Sequence, residues 1–246
     1  MSTRRSFIKK TAAGSAALGL GSMVFPKMGY AGILGANERI NTAVIGVRSR
    51  GKAHVKAIHA DPLARIRYTC DVDDLIIEEH NAWCKENIGY VPKVEKDFRK
   101  VLDDKEVHAV FIATPEHWHA PMAIMALQAG KHVYVEKPCS HNPHENDLLV
   151  AAQKRYGKKV QMGNQQRSAK TSILAIDEMR QGIIGEVYKG EAYYSNSREN
   201  IGHGKVVDVP KTLDWELWQG PAPREKYRDN IHPYNWHWFR NWGTGE

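Results

Sequence analysis

Residues 107–137 read VHAVFIATPEHWHAPMAIMALQAGKHVYVEK. Residues 107–113 are an almost continuous apolar run, the pattern of a strand covered on both faces. Ala120, Ala123, Ile124 and Leu127 then fall at i, i+3, i+4 and i+7, which puts them on one face of a helix. Gly130 stands where a left-handed residue would end that helix. Residues 133–135 form a second short buried strand. A strand, a helix and a strand in this order make a parallel β-α-β unit.

The same alternation continues on either side. Residues 40–45 read as a strand ending at Gly46, 54–60 as a helix, 66–70 as a strand ending at Asp71, and 75–85 as a helix. Residues 97–102 give a short helical turn. Residues 143–156 give a helix with Asn142 as its cap and Pro143 at its first position, and 160–162 a further strand. The pattern predicts an α/β fold, a Rossmann doubly wound parallel sheet over residues 38–162. Ligands of such sheets belong at the carboxyl ends of the strands. Gly46, Asp71, Thr114 and Glu136 each follow an apolar run and so share that edge. From residue 163 the character changes: a helix over 172–180, a strand over 186–195, then a loop-rich, tryptophan-rich stretch over 198–242. Residues 163–246 are too few to bury a good core alone and are expected to lean on the first domain.

The formal charge of +7 is misleading taken whole. Residues 1–31 hold Arg4, Arg5, Lys9, Lys10 and Lys27 and no acidic residue, leaving 30 basic against 28 acidic residues elsewhere. No nucleic-acid partner is therefore expected. The basic start followed by the small, apolar run 11–24 is a charged n-region and a short h-region. The arginine pair, with Phe7 and Lys9, resembles a twin-arginine (Tat) export signal. Residues 1–31 thus read as a signal peptide ending near Gly29-Tyr30-Ala31. The Tat machinery is then a partner, and the mature protein is periplasmic or otherwise exported. A basic amphipathic N-terminal helix is the alternative. The run is too short and too rich in Gly and Ala for a stable membrane span. Cys70, Cys84 and Cys139 are odd in number and lack metal-like spacing. Cys70 and Cys84 read as buried small apolar residues.

Three stretches carry chemistry. Gly46-Val47-Arg48-Ser49-Arg50-Gly51 follows a strand and opens a helix, the setting of a dinucleotide loop. Gly46 allows a tight turn, Gly51 close packing, and the helix amides a pyrophosphate. Arg48 occupies the place of the middle glycine. Asp71, at the end of the next strand, is placed to accept hydrogen bonds from ribose hydroxyls. It favours NAD over NADP, whose 2′-phosphate it would repel. A Rossmann-like core that binds nothing is the bland alternative. Thr114-Pro115-Glu116-His117-Trp118-His119 occupies the next loop at the same edge. His117 and His119 could be ligands or packed residues, and without a suitably spaced carboxylate no metal is expected. In Val135-Glu136-Lys137-Pro138, proline restrains the residue before it and directs Lys137 into the crevice. An ordinary surface lysine is the competing reading.

The run IATPEHWHAPMAIMALQAGKHVYVEKPCSHN resembles the central block of the glucose-fructose oxidoreductase/inositol dehydrogenase (Gfo/Idh/MocA) family. AVIGVRSRGKAHVKAI, CDVDD, QMGNQQRS, LDWELWQGPAP and WHWFRNWGTGE resemble further blocks in the same order. The resemblance covers residues 38–246 and implies a Rossmann domain followed by an antiparallel-sheet α/β domain, here incomplete. It implies oxidation or reduction of a sugar, polyol or cyclitol with NAD or NADP, and a homo-oligomer at full length. Lys137 becomes the catalytic lysine, with His119 as second catalytic candidate and a Lys137–Pro138 bond that is cis. Gly46, Arg48, Ser49, Arg50, Gly51, Asp71, Thr114, Pro115, His117, Glu136 and Lys137 become the cofactor-binding set. Asn164, Gln165 and Arg167 join them, and Trp236 and Trp238 shape the sugar pocket. In the family an acid/base histidine with a nearby aspartate follows the last block. No residue here matches it, so the chain is expected to be the N-terminal portion of a longer protein and inactive as it stands. A glycoside hydrolase using transient oxidation by tightly held NAD, or a non-catalytic sugar-binding protein, are the rival functions.

Overall fold

The computed structural model describes residues 39–195 and 199–244, so the expected signal segment lies outside the described residues. Six strands form one parallel sheet: β1 (Ile40–Ile45), β2 (Ala64–Cys70), β3 (Lys93–Glu95), β4 (Ala109–Ile112), β5 (His132–Glu136) and β6 (Val160–Gly163). Their order is β3-β2-β1-β4-β5-β6. The chain reverses direction of winding between β1 and β4, and a crevice opens at the carboxyl ends of such a pair.

Side chains alternate across a strand, and both faces of this sheet are covered. On one face Val44 and Ile66 meet Val55 and Ile58 of α1 (Ser49–His59) and Cys84 of α2 (Asp74–Asn87). On the other, Ala43, Ile45, Val110 and Val135 meet α3 (Phe98–Asp103), α4 (His119–Gln128) and α5 (Pro143–Tyr156). Ala123 and Leu127 of α4, from the predicted apolar face, are fully buried. Helix α5 has the bounds that its pattern predicts. Asn142 Oδ1 accepts from the Glu145 amide at 3.1 Å, Glu145 returns to the His141 amide at 2.9 Å, and Gly157 ends the helix at φ 62°. Asn142 is a side-chain N-cap, Glu145 reaches one residue further back than in a capping box, and a left-handed glycine closes the helix.

Two expectations are corrected and one strand is added. Helix α1 starts at Ser49 rather than residue 54, because Gly51 belongs to its first turn. The three-residue edge strand β3 is too short to leave a readable alternation. Residues 186–195 form no strand, and all of them are exposed. A strand without ladder partners gains nothing from its propensity, and none pairs with it among the described residues. Of the incomplete second region, the described residues show the isolated bridges Asp73↔Leu213 and Val206↔Arg228. Beyond β6 lie α6 (Lys170–Arg180), with no buried residue, and α7 (Trp215–Gln219). The tryptophan-rich segment does pack on the sheet's edge: Trp215, Trp218, Ile231 and Trp242 form a cluster that reaches Val72. Among the described residues no helix is long and apolar enough to cross a membrane.

Candidate active site

A cavity of about 340 Å³ lies at the carboxyl edge of the sheet, within the range of small-ligand pockets. The glycine loop forms one wall. Gly46 has φ 84°, and a Cβ there would lie 2.5 Å from the Ala113 carbonyl oxygen, so the β1 and β4 exits touch through it. A Cβ on Gly51 would lie 2.1 Å from the Gly46 oxygen. Arg48 has an ordinary φ of −72°, which explains why a side chain is tolerated where a middle glycine was expected. Helices α2, α3 and α5 are capped by Asp73, Asp97 and Asn142. Helix α1 has no side-chain cap. Its first-turn amides are therefore left for an anion, such as a pyrophosphate.

Asp71 closes the same end. Its Oδ2 accepts from the Val47 amide at 3.0 Å and its Oδ1 from the Val72 amide at 2.8 Å. Burial pushes its pKa up, and these amides offset only part of that. A carboxylate so placed gains from any ligand hydroxyl that donates to it. His232 stands beside it, with Nε2 2.9 Å from Asp73 Oδ2.

Lys137 lines the cavity from the tip of β5, and its bond to Pro138 is cis. Beneath it lies the buried Glu136 carboxylate. Gln165 Nε2 donates to Glu136 Oε1 at 2.6 Å, and His54 Nε2 and Arg50 Nε lie 3.1 and 3.7 Å from the same oxygen. Burial alone would raise Glu136's pKa, but His54 and Arg50 outweigh it and hold the group below its usual value. Gly163 leaves the room: a Cβ there would lie 2.9 Å from Glu136 Oε1.

Of the expected site residues, Gly46, Arg48, Ser49, Arg50, Gly51, Asp71, Thr114, Pro115, His119, Glu136 and Lys137 line this one cavity. Four do not. His117 is buried to one side, with Nε2 3.0 Å from the Trp218 oxygen and Nδ1 3.4 Å from the Trp242 oxygen. Burial lowers its pKa to about 4. It pins the tryptophan-rich segment to the loop after β4. Gln165 reaches only Glu136 and Tyr134, and Asn164 and Arg167 lie on the exposed turn around it. His119 lines the wall, but its two nitrogens face the Pro138 oxygen at 2.5 Å and the Thr114 oxygen at 2.9 Å. A carbonyl oxygen only accepts and a neutral imidazole has one N–H, so His119 donates to one of the two and braces the turn beside Lys137. Trp236 lines the cavity and Trp238 does not. His54 and Glu116 escaped the sequence reading. His54 is one residue of a helical face, and Glu116 sits beside two more conspicuous histidines. Among the described residues no group of three or more His, Cys, Asp or Glu is arranged to hold a metal ion.

A parallel sheet wound 3-2-1-4-5-6, an uncapped helix behind a glycine turn and a buried acid on the next strand define a Rossmann dinucleotide fold. Residues 40–164 match the GFO_IDH_MocA model, the oxidoreductase family with an NAD-binding Rossmann fold, and the chain belongs to that family. It is 31% identical over 240 residues to a glycosyl hydrolase family 109 protein of Shewanella pealeana, covering 95% of this chain and 48% of the relative. The chain thus spans about half the length of the curated relatives it matches. Among solved structures it is similar to scyllo-inositol dehydrogenase from Lactobacillus casei with bound NAD(H) and scyllo-inositol. That match has 27% identity and TM-score 0.54, over 60% of this chain and 43% of the other. It is also similar to an NAD-binding oxidoreductase from Klebsiella pneumoniae, with 30% identity and TM-score 0.51, over 60% of this chain and 40% of the other.

Proposed function

We propose that the protein is a nicotinamide-dependent oxidoreductase acting on a hydroxyl of a sugar, polyol or cyclitol. The observation that carries this is the meeting of the glycine loop, Asp71 and Lys137 on one cavity. The first-turn amides of α1 would hold the pyrophosphate, and Asp71 the adenosine ribose. When bound, the nicotinamide supplies the acceptor or donor of hydride. Lys137 holds the substrate oxygen and stabilises the negative charge that grows on it. Glu136, locked by His54 and Gln165, fixes the strand tip from which Lys137 projects. Trp118, Trp218 and Trp236 line the cavity as flat apolar walls of the kind on which sugar rings stack. Asp71 favours NAD over NADP. Denaturing purified protein and identifying the nucleotide released tests the cofactor. Screening sugars and cyclitols for NADH formation by the full-length protein, with Lys137→Met as control, tests the reaction. Turnover by the Lys137→Met variant at the parent rate would refute the role of the lysine.

A second reading has its own support in the family 109 relatives: hydrolysis of a glycoside through transient oxidation by a retained NAD. Hydrolysis of a nitrophenyl glycoside without net NADH would establish it in place of the first. Export by the twin-arginine route is part of the proposal, motivated by Arg4-Arg5 and the apolar run behind them. A reporter fused behind residues 1–31 that stays in the cytoplasm would refute it. The full-length protein is proposed to be a homo-oligomer, which light scattering measures directly.

A further inference from the structure

The loop after β4 holds one charged side chain whose burial nothing above explains. Glu116 is only 7% exposed, yet it lines the cavity. Its Oε2 accepts from the Thr244 amide at 2.6 Å. Among the described residues no Lys, Arg or His nitrogen lies within ion-pair distance of it, whereas the neighbouring buried acid Glu136 has both His54 and Arg50. Burying a carboxylate without a cation is costly, and the cost falls when a donor arrives from a ligand. The backbone puts Glu116 near Lys137. Strands β4 and β5 run in parallel with Ile112 opposite Val135, so their exits leave the sheet side by side. His119 joins the two: it bonds to the Pro138 carbonyl next to Lys137, and it feels the fields of both Glu116 and Glu136. In the same loop His117 and His119 each face two backbone carbonyls, and the single N–H of each neutral ring is used on one of them.

We propose that Glu116 is the hydroxyl-accepting group of this cavity, taking a hydrogen bond from a ligand hydroxyl held alongside Lys137. A carboxylate only accepts and an ammonium only donates, so the pair together recognises alcohols and discriminates against carboxylates and phosphates at that end. The hydroxyl belongs either to the nicotinamide-side ribose or to a polyol substrate. The inference rests on the dinucleotide-dependent reading above and adds a residue to it.

The test is equilibrium binding to the 246-residue chain, followed by quenching of the cavity tryptophans, for the parent and for Glu116→Gln. NAD is titrated first, and myo-inositol and glucose are then titrated into NAD-saturated protein. A charge-assisted hydrogen bond lost from a buried site weakens binding about ten- to a hundredfold. A loss confined to NAD assigns the hydroxyl to the ribose; a loss confined to the polyol assigns it to substrate. Circular dichroism confirms that the variant folds. Should it not fold, the parent is titrated with NAD lacking single nicotinamide-ribose hydroxyls and with singly deoxygenated polyols. At least one such ligand is then expected to lose the same factor. If the parent binds NAD and Glu116→Gln, or every deoxy ligand, binds within twofold of its reference, the role of Glu116 is refuted. If the parent binds neither NAD nor NADP, it is the dinucleotide reading that fails.

Discussion

Replacing Gly46 by alanine tests the joint between sheet and cavity. The residue has φ 84°, and the added methyl would sit 2.5 Å from the Ala113 oxygen, 2.7 Å from its carbonyl carbon and 2.9 Å from the Thr114 nitrogen. All three are backbone atoms, so no flexible side chain can move aside. The left-handed conformation costs about 1–2 kcal/mol for a residue with a Cβ. Forcing apart two packed strand exits adds about 1–3 kcal/mol. The sum, about 2–5 kcal/mol, corresponds to a fall in Tm of roughly 5–15 °C for a domain of this size. Gly157→Ala is the control. Gly157 has φ 62° but nothing within 4 Å of its would-be Cβ, so only the conformational cost of about 1–2 kcal/mol applies. Scanning calorimetry of both variants, with an NAD titration, separates the two contributions. Because β1 and β4 carry the two walls of the crevice, Gly46→Ala is expected to lose NAD binding as well, and Gly157→Ala to keep it. Equal Tm values for the two variants would refute the close-approach argument.

In the full-length protein, Lys137→Met is expected to bind NAD like the parent but to lower turnover on any sugar or cyclitol substrate by about 10²–10³-fold, read from NADH absorbance. Leu127→Ala removes a fully buried side chain from the apolar face of α4 and should cost about 2–5 kcal/mol in urea unfolding. Histidines 80 and 117 are held near pKa 4, mainly by burial, against 6.5 when unfolded. Between those values the unfolded chain binds more protons, so stability falls as the pH drops from 6.5 to 4 and then levels. For His117 the loss is up to about 3 kcal/mol. Urea midpoints measured across this range, flatter in His117→Gln, check the assignment; an unchanged slope in that variant would count against it. In the full-length protein, Gln165→Ala, which removes one anchor of Glu136 without touching the cavity wall, is expected to reduce kcat with little change in the Kd for NAD.

Much of this protein is written in local pattern. The runs at 107–113 and 133–135 needed little more than hydrophobic continuity to be recognised as central strands. A strand buried on both faces leaves no alternation to misread. Asn142 and Pro143 marked the start of α5 to the residue because capping is a matter of a few neighbouring atoms. The placing of Gly46, Asp71, Thr114 and Lys137 on one edge followed from strand ends alone, since every parallel strand delivers its last residue to the same side.

Side-chain direction and long-range pairing were beyond that pattern. Nothing local distinguishes His119, clamped between two carbonyls, from a histidine facing a ligand, because its partners at Pro138 and Thr114 meet it only through folding. His54 and Gln165 converge on Glu136 from separate elements, and Gly163 is small because that carboxylate needs its space. Residues 186–195 have the composition of a strand, but a strand exists only where a neighbour supplies hydrogen bonds. Sequence by itself determined the order of the elements and the edge that carries the site. Tertiary structure decided which polar atoms at that edge remain for a ligand, because each hydrogen bond formed within the protein removes one from that set.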